Sequence, residues 1–250
     1  MFMYNVLQNK SKMQYKFEKF PYVIIDDALP GDLYDKLNAD FPNYKKIIGN
    51  NEYKENFAYR YNANSSLSDR EISKEWKEFI KFHTSYEFLE EFYTVFGEAI
   101  KKIYKVEKDK LFNQNNIGIR FEKKSHFNLD CQFVINTPTS GETSVIEPHL
   151  DNPVEFYAAL LYMKDDDDNS EGGNLTTYSF KDKPSFYGKS RVRHEKVNLI
   201  EEIKYKKNRL VMFLNSPYSL HGVSQRSKTN YYRKYINIIG EYNFELFNYR

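Results

Sequence analysis

The chain has 250 residues, enough to bury a substantial core in one large domain and too few to expect several. Its 37 basic and 35 acidic residues nearly cancel, so charge gives no reason to expect a nucleic acid or a membrane surface as partner. A single cysteine, Cys131, excludes an intrachain disulfide framework and, with it, a closed structural zinc site rich in thiolates.

The first residues, MFMYNVLQNKSKMQYKF, alternate apolar with polar side chains and hold no continuous apolar stretch of the kind a secretory signal needs. The longest clear apolar run, 158–163, is far too short to span a bilayer, so a cytoplasmic protein without membrane contact is expected. The stretch 20–27 (FPYVIIDD) predicts a short buried strand. Leu29-Pro30-Gly31-Asp32 then opens a helix whose stripe is Leu29, Leu33, Leu37 and Phe41, and which Pro42 ends. From 44 to 68 no period is sustained, and irregular surface or part of a substrate-facing loop is expected. Helical patterning resumes at Asp69, with Ile72, Trp76, Phe79 and Ile80 on one face. Phe88, Leu89, Phe92, Phe96, Ala99, Ile100 and Ile103 mark a second helix that meets the first near Thr84-Ser85. Aromatic residues at this spacing are core positions rather than a cofactor box.

After Asn116 the pattern changes to short strands at 117–122, 131–136, 156–163, 174–180, 196–205, 209–214 and 233–241, separated by Gly, Pro, Asn and Asp. Helices followed by a run of strands predict an α+β protein, with a β-sandwich or jelly roll at 116–241 buttressed by a mainly helical segment at 1–115. No linker divides the two, and a single domain over 1–250 is expected.

His149 and Asp151 stand two apart, so on an extended chain both side chains point the same way and can grip one ion. His221 follows Asp151 by 70 residues, beyond the apolar strand at 209–214. Two imidazoles and one carboxylate are what a mononuclear non-haem iron takes from a protein, leaving positions open for chemistry. Arg233, Tyr235 and Asn237 alternate along an otherwise apolar strand. The neighbouring cations Arg226 and Lys228 fall in a polar stretch, 224–230, that reads as a solvated loop.

Taken in order, His149-Leu150-Asp151-Asn152-Pro153, Leu161-Tyr162-Met163, Gly172-Gly173-Asn174-Leu175 and His221-Gly222-Val223 through Arg233 make the chain resemble the iron(II)- and 2-oxoglutarate-dependent dioxygenases, in their prolyl-hydroxylase-like branch. The likeness covers 115–241, and more weakly the strand and helix that open the chain. It implies a double-stranded β-helix, the cupin-like jelly roll, with N-terminal supporting helices. It implies Fe(II) held by His149, Asp151 and His221, and 2-oxoglutarate and O2 as cosubstrates. The far carboxylate of the oxoacid would rest on Arg233, assisted by Tyr162. Arg233 follows His221 by twelve positions, whereas relatives commonly space the basic residue by about nine, so the assignment of Arg233 over Arg226 rests on strand alternation. Asp151 argues against halogenation, which needs a small residue there.

The implied activity is hydroxylation of an unactivated C–H bond with release of succinate and CO2. Its substrate could be a peptide prolyl group or a small metabolite or sugar derivative, since fold does not fix substrate. The reading from another class is a non-catalytic β-sandwich that binds a ligand. Weaker features remain. Asp165 to Asp168 lacks the spacing of a calcium loop and reads as a solvated turn. Arg191-Val192-Arg193-His194 is a small basic segment inside 179–196, a stretch that could form a substrate lid. His83, His126 and His194 have no partners at ligand spacing, and Gln132, Asn136, Arg120 and Asn237 could face the cavity.

Overall fold

In a computed structural model, residues 3–17, 20–122, 125–142 and 147–249 are described. Eleven strands among them form two sheets. The large one runs β1 (Met13–Lys16), β2 (Tyr22–Ile25), β9 (Leu210–Leu214), β6 (Glu155–Tyr162), β11 (Arg233–Tyr242), β5 (Phe127–Asn136) and β3 (Ala58–Tyr61), antiparallel throughout. A short parallel strand, β4 (Ile117–Ile119), joins it at β5. The small sheet is β10 (His221–Val223), β7 (Leu175–Phe180) and β8 (Val197–Ile203). Two sheets facing one another with helices outside the larger give the jelly-roll, α+β architecture that the strand pattern predicted.

The large sheet is buried on both faces, which is why its central strands read as nearly unbroken apolar runs. On the outer face Phe127, Phe133, Tyr157, Leu161, Met212, Ile236 and Ile238 pack against the helices α4 (Lys74–His83) and α5 (Tyr86–Tyr104) through Trp76, Phe79, Phe88 and Phe92. The two helices break where Ser85 caps the second, its side chain accepting from the Phe88 amide, and Ser73 caps the first in the same way at Trp76. The Trp76 indole donates to the Leu37 carbonyl at 3.0 Å and so ties α1 (Gly31–Ala39) to α4. On the inner face Val134, Ala158, Tyr162, Val211, Phe213, Tyr235 and Ile239 meet Leu175 and Ile203 of the small sheet.

Several elements depart from the sequence expectation. The stretch 44–68 is not irregular: it holds α2 (Tyr44–Ile48), β3 and α3 (Ala63–Ser68), the helices capped by Asn43 and Asn62. The first 115 residues also supply β1, β2 and β3, so the two halves share one sheet. These pieces are four to six residues long, too short for a period to declare itself. No helix among the described residues is long and apolar enough to cross a membrane.

Candidate active site

The segment carrying His149 and Asp151 lies beside β10. His149 and His221 exchange backbone hydrogen bonds at 2.8 and 3.0 Å, while Leu150 takes one from its amide to Ser190 at 3.0 Å and Val192 donates to Pro148 at 2.7 Å. This extended pairing turns His149 and Asp151 to the cavity and sends Leu150, 1% exposed, into a satellite core with Tyr178, Val192, Val197 and Leu220. The alternation explains the His-x-Asp spacing. Asn215 then closes the following turn, its amide nitrogen donating to the carbonyls of Asn152 and Glu155 at 3.1 and 2.8 Å. The Tyr249 hydroxyl donates to the Asp151 carbonyl at 2.8 Å.

The ligand atoms of His149, Asp151 and His221 lie within 4.8 Å of one another, the one such group of His, Cys, Asp or Glu among the described residues. Each imidazole has its Nδ1 2.8 Å from a backbone carbonyl, Glu147 for His149 and Ser219 for His221. A carbonyl only accepts, so each Nδ1 carries the proton and each Nε2 is left with its lone pair. The two Nε2 atoms stand 3.6 and 3.5 Å from the oxygens of Asp151. Burial opposes ionisation of Asp151, but the positive charge that His221 and His149 carry when protonated, with that of Arg60, outweighs it and holds the carboxyl below the usual range. Burial likewise lowers His221, favouring the neutral ring that a metal requires. The donor set, two neutral imidazoles and an ionised carboxylate with orienting carbonyls behind them, suits Fe(II).

At the opposite end of the inner face sits Arg233, 3% exposed. Its guanidinium is ringed by Tyr162, Tyr205 and Tyr235, whose ring centres lie 5.0, 5.0 and 4.8 Å from it. Nη1 donates to Asn136 Oδ1 at 3.2 Å, while Nε and Nη2 are buried without partners among the described residues, as is the Tyr162 hydroxyl. An unpaired buried guanidinium is costly, and a fork of free donors beside a free hydroxyl matches a carboxylate. The residues therefore fit 2-oxoglutarate as well as the metal.

Most of the sequence-predicted set is brought together here. Asn136 reaches Arg233, Gln132 and Asn237 face the cavity with one buried amide oxygen each unpaired, and Arg120 pairs with Glu241 at 2.9 Å. Tyr235 shares the inward face with Arg233 as strand alternation predicts, whereas Tyr205 carried no signal beyond its predicted strand. One expectation is overturned: Arg226 is not in solvent but 1% exposed, donating to the Thr137 and Tyr231 carbonyls at 2.8 and 3.0 Å. The cause is the turn at Gly172-Gly173, both at positive φ, which brings the backbone of 225–226 so close that a Cβ on Gly172 would fall 1.7 Å from the Gln225 carbonyl oxygen. Burial and the neighbouring Arg233 both lower the Arg226 guanidinium. Lys228 is exposed as expected.

The stretch 179–196 is no free lid, since its centre is hydrogen-bonded to the His149 segment and Val192 is fully buried. Arg191 and Arg193 are exposed. Of the acidic run, Asp165 pairs with Lys234 at 2.6 Å and Asp166 with Lys207 at 2.9 Å, while Asp168 is buried and accepts from the Ser170 amide. His83 lies in the core away from the triad.

Residues 133–238 match the profile of the 2OG-Fe(II) oxygenase superfamily. The matched stretch holds His149, Asp151, His221 and Arg233 and, with the jelly-roll fold and the His-Asp-His group, supports Fe(II), 2-oxoglutarate and O2 as the cofactor and cosubstrates. Among solved structures, a prolyl 4-hydroxylase from Phytophthora capsici is similar at TM-score 0.55 and 17% identity over 97% of this chain, which spans 66% of that protein's length. A Pseudomonas putida prolyl-4-hydroxylase follows at TM-score 0.45 and 12% identity, covering 97% of this chain and 100% of that one. A Trichoplax adhaerens prolyl hydroxylase in complex with a hypoxia inducible factor peptide fragment gives TM-score 0.46 and 12% identity, covering 96% and 87%. No curated protein sequence matches the chain.

Proposed function

We propose that the protein is an Fe(II)- and 2-oxoglutarate-dependent dioxygenase that hydroxylates an unactivated C–H bond, taking up O2 and releasing succinate and CO2. The observation that carries this reading is the unpaired Arg233 guanidinium at one end of a face whose other end holds the His-Asp-His group. His149, Asp151 and His221 would hold the iron through Nε2, a carboxylate oxygen and Nε2. Iron bound there supplies the redox chemistry that couples decarboxylation of the oxoacid to oxidation of the substrate carbon.

The chain's own residues do the rest. Arg233 would receive the far carboxylate through its free Nε and Nη2, with the Tyr162 hydroxyl donating beside it. The three tyrosine rings keep water from this end and hold the guanidinium in place. Phe213 and Phe20, whose ring centres are 4.8 and 6.2 Å from that of His221, wall the triad on the side of β2 and β9. Water exclusion protects the oxidising site from unproductive turnover.

The intact triad and the unpaired guanidinium favour an enzyme over a binding module. Prolyl hydroxylation, the chemistry named for the Phytophthora capsici protein, is one substrate reading. A small metabolite is the other. The test is succinate formation from 2-oxoglutarate by protein loaded with Fe(II), together with metal binding. His149→Ala and Asp151→Ala should each abolish succinate release and weaken metal binding at least 100-fold. Wild-type levels of both in either variant would refute the assignment.

A further inference from the structure

Between Arg233 and the triad, the inner face carries polar groups that neither metal nor oxoacid accounts for. Gln132 and Asn237 are directly opposite in register on β5 and β11, and each has a buried amide oxygen without a partner among the described residues. The orientation of Gln132 is fixed, because its Nε2 donates to Asp130 at 2.6 Å and Asp130 in turn accepts from the amides of Ala63 and Cys131. Its Oε1 is therefore an acceptor that waits for a donor. Leaving such an acceptor unmet is costly, so a ligand that brings donors is favoured here.

Two charged side chains complete the picture. Glu155 stands opposite Glu241 in register, and Glu241 is engaged by Arg120. No hydrogen bond or ion pair ends on the Glu155 carboxyl among the described residues, and burial followed by the charge of Asp151 raises it. Arg60 lies opposite Val134 on β3, which sets it on the inner face. It is exposed and has no ion pair among the described residues, yet the carboxyls of both Asp151 and Glu155 feel its charge. An unengaged cation and an unengaged carboxyl thus flank the triad, with two free amide acceptors on the floor between.

We propose that the substrate is a small zwitterion of the free α-amino acid class, its carboxylate held by Arg60 and its ammonium received by Glu155 and the amide oxygens of Gln132 and Asn237. The proposal rests on the dioxygenase reading above. An ammonium brings three donors and no acceptor, which suits the unmet amide oxygens of Gln132 and Asn237 and the free oxygens of Glu155. The same set selects by penalty: a simple anion would leave the oxygens of Gln132 and Asn237 unmet, a simple amine would face Arg60, and a residue inside a peptide offers neither main-chain charge. With both charges of the main chain held, the amino acid's side chain is the part left to meet the triad.

The probes are the twenty proteinogenic amino acids and their N-acetyl, C-amide forms, in which both charges are removed. Succinate release is followed with the Fe(II) protein in air, and binding is followed by anaerobic calorimetry on protein loaded with Mn(II) and 2-oxoglutarate. At least one free amino acid should bind and raise succinate release tenfold or more, and its blocked form should do neither. Arg60→Met and Glu155→Gln should each weaken that binding at least tenfold at an unchanged melting temperature. If either melts early, Arg60→Lys and Glu155→Asp, which keep the charge, should bind with intermediate affinity. The proposal is overturned if no free amino acid binds the Mn(II) and oxoglutarate complex, or if a blocked form binds as tightly as its free parent. Failure of 2-oxoglutarate itself to bind or turn over would overturn the dioxygenase reading, and this inference with it.

Discussion

Arg233 shows most clearly what one residue contributes. Its guanidinium is buried beside a second buried arginine, Arg226, and the groups around both are tyrosine rings and neutral oxygens: Asn136 accepts from Arg233, and two backbone carbonyls accept from Arg226. Two close cations, neither in an ion pair among the described residues and with only the more distant Asp168 acting on Arg226, make a basin that favours a ligand with a terminal carboxylate. Arg233→Met should therefore weaken 2-oxoglutarate binding to the Mn(II) protein by about 100-fold, on the order of 3 kcal/mol for a lost charge-assisted pair. Arg233→Lys keeps the charge but not the fork and should fall between, as read by calorimetry; equal affinities in all three proteins would remove Arg233 from the site. The inward placement of Arg233 was legible from strand alternation. The burial of Arg226 was not, because it depends on Gly172-Gly173 docking against 225–226, a contact between segments some fifty positions apart that no local pattern records.

At the scale of elements, the helical layer has a titratable fastener. His83 ends α4 fully buried, its Nδ1 2.8 Å from the Phe79 carbonyl and its Nε2 accepting from the Val6 amide at 3.5 Å, with the rings of Phe79, Phe82 and Phe88 around it. Only the bond from Val6 needs the neutral ring, because Nδ1–H can donate to Phe79 in either state. Burial, only partly offset by the Phe79 carbonyl, lowers the imidazole to about 3. An unfolded histidine titrates near 6.5, so as pH falls below that value the unfolded chain takes up a proton that the folded chain refuses. The contribution of His83 is thus fully present above about 6.5 and is lost progressively down to about 3, with a slope of at most about 1.4 kcal/mol per pH unit. Urea melts between pH 7 and 5 should show stability falling, and His83→Gln should flatten that dependence. An identical slope in the variant would assign the effect elsewhere. Here too legibility followed the mechanism of burial. The α4–α5 break was readable from Ser85, a cap with a local signature, whereas nothing local marked a core histidine that clasps residue 6.

On the scale of the whole molecule, the sheet pair is a scaffold whose inner face is left polar at a cost to its own stability. The strands at 156–163, 209–214 and 233–241 could be read from sequence because burial on both faces leaves apolar runs, and the jelly roll followed from their order. The half-exposed β3 could not, and it is the strand that brings Arg60 to the site. The buried unpaired atoms of Arg233, Tyr162, Gln132 and Asn237 all lie on this one face, so ligands that satisfy them should raise the stability of the entire fold rather than of a loop. With Mn(II) present, 2-oxoglutarate at about a hundred times its Kd should add about 2.7 kcal/mol, a rise in melting temperature of roughly 5–10 °C for a chain of this length. Glutarate, which has the two carboxylates but no keto oxygen to complete a chelate, should give a smaller rise that depends less on Mn(II), because its near carboxylate alone would reach the metal. The contrast separates the two ends of the site. Equal rises for both ligands, with and without Mn(II), would mean that the His-Asp-His group takes no part in holding the oxoacid.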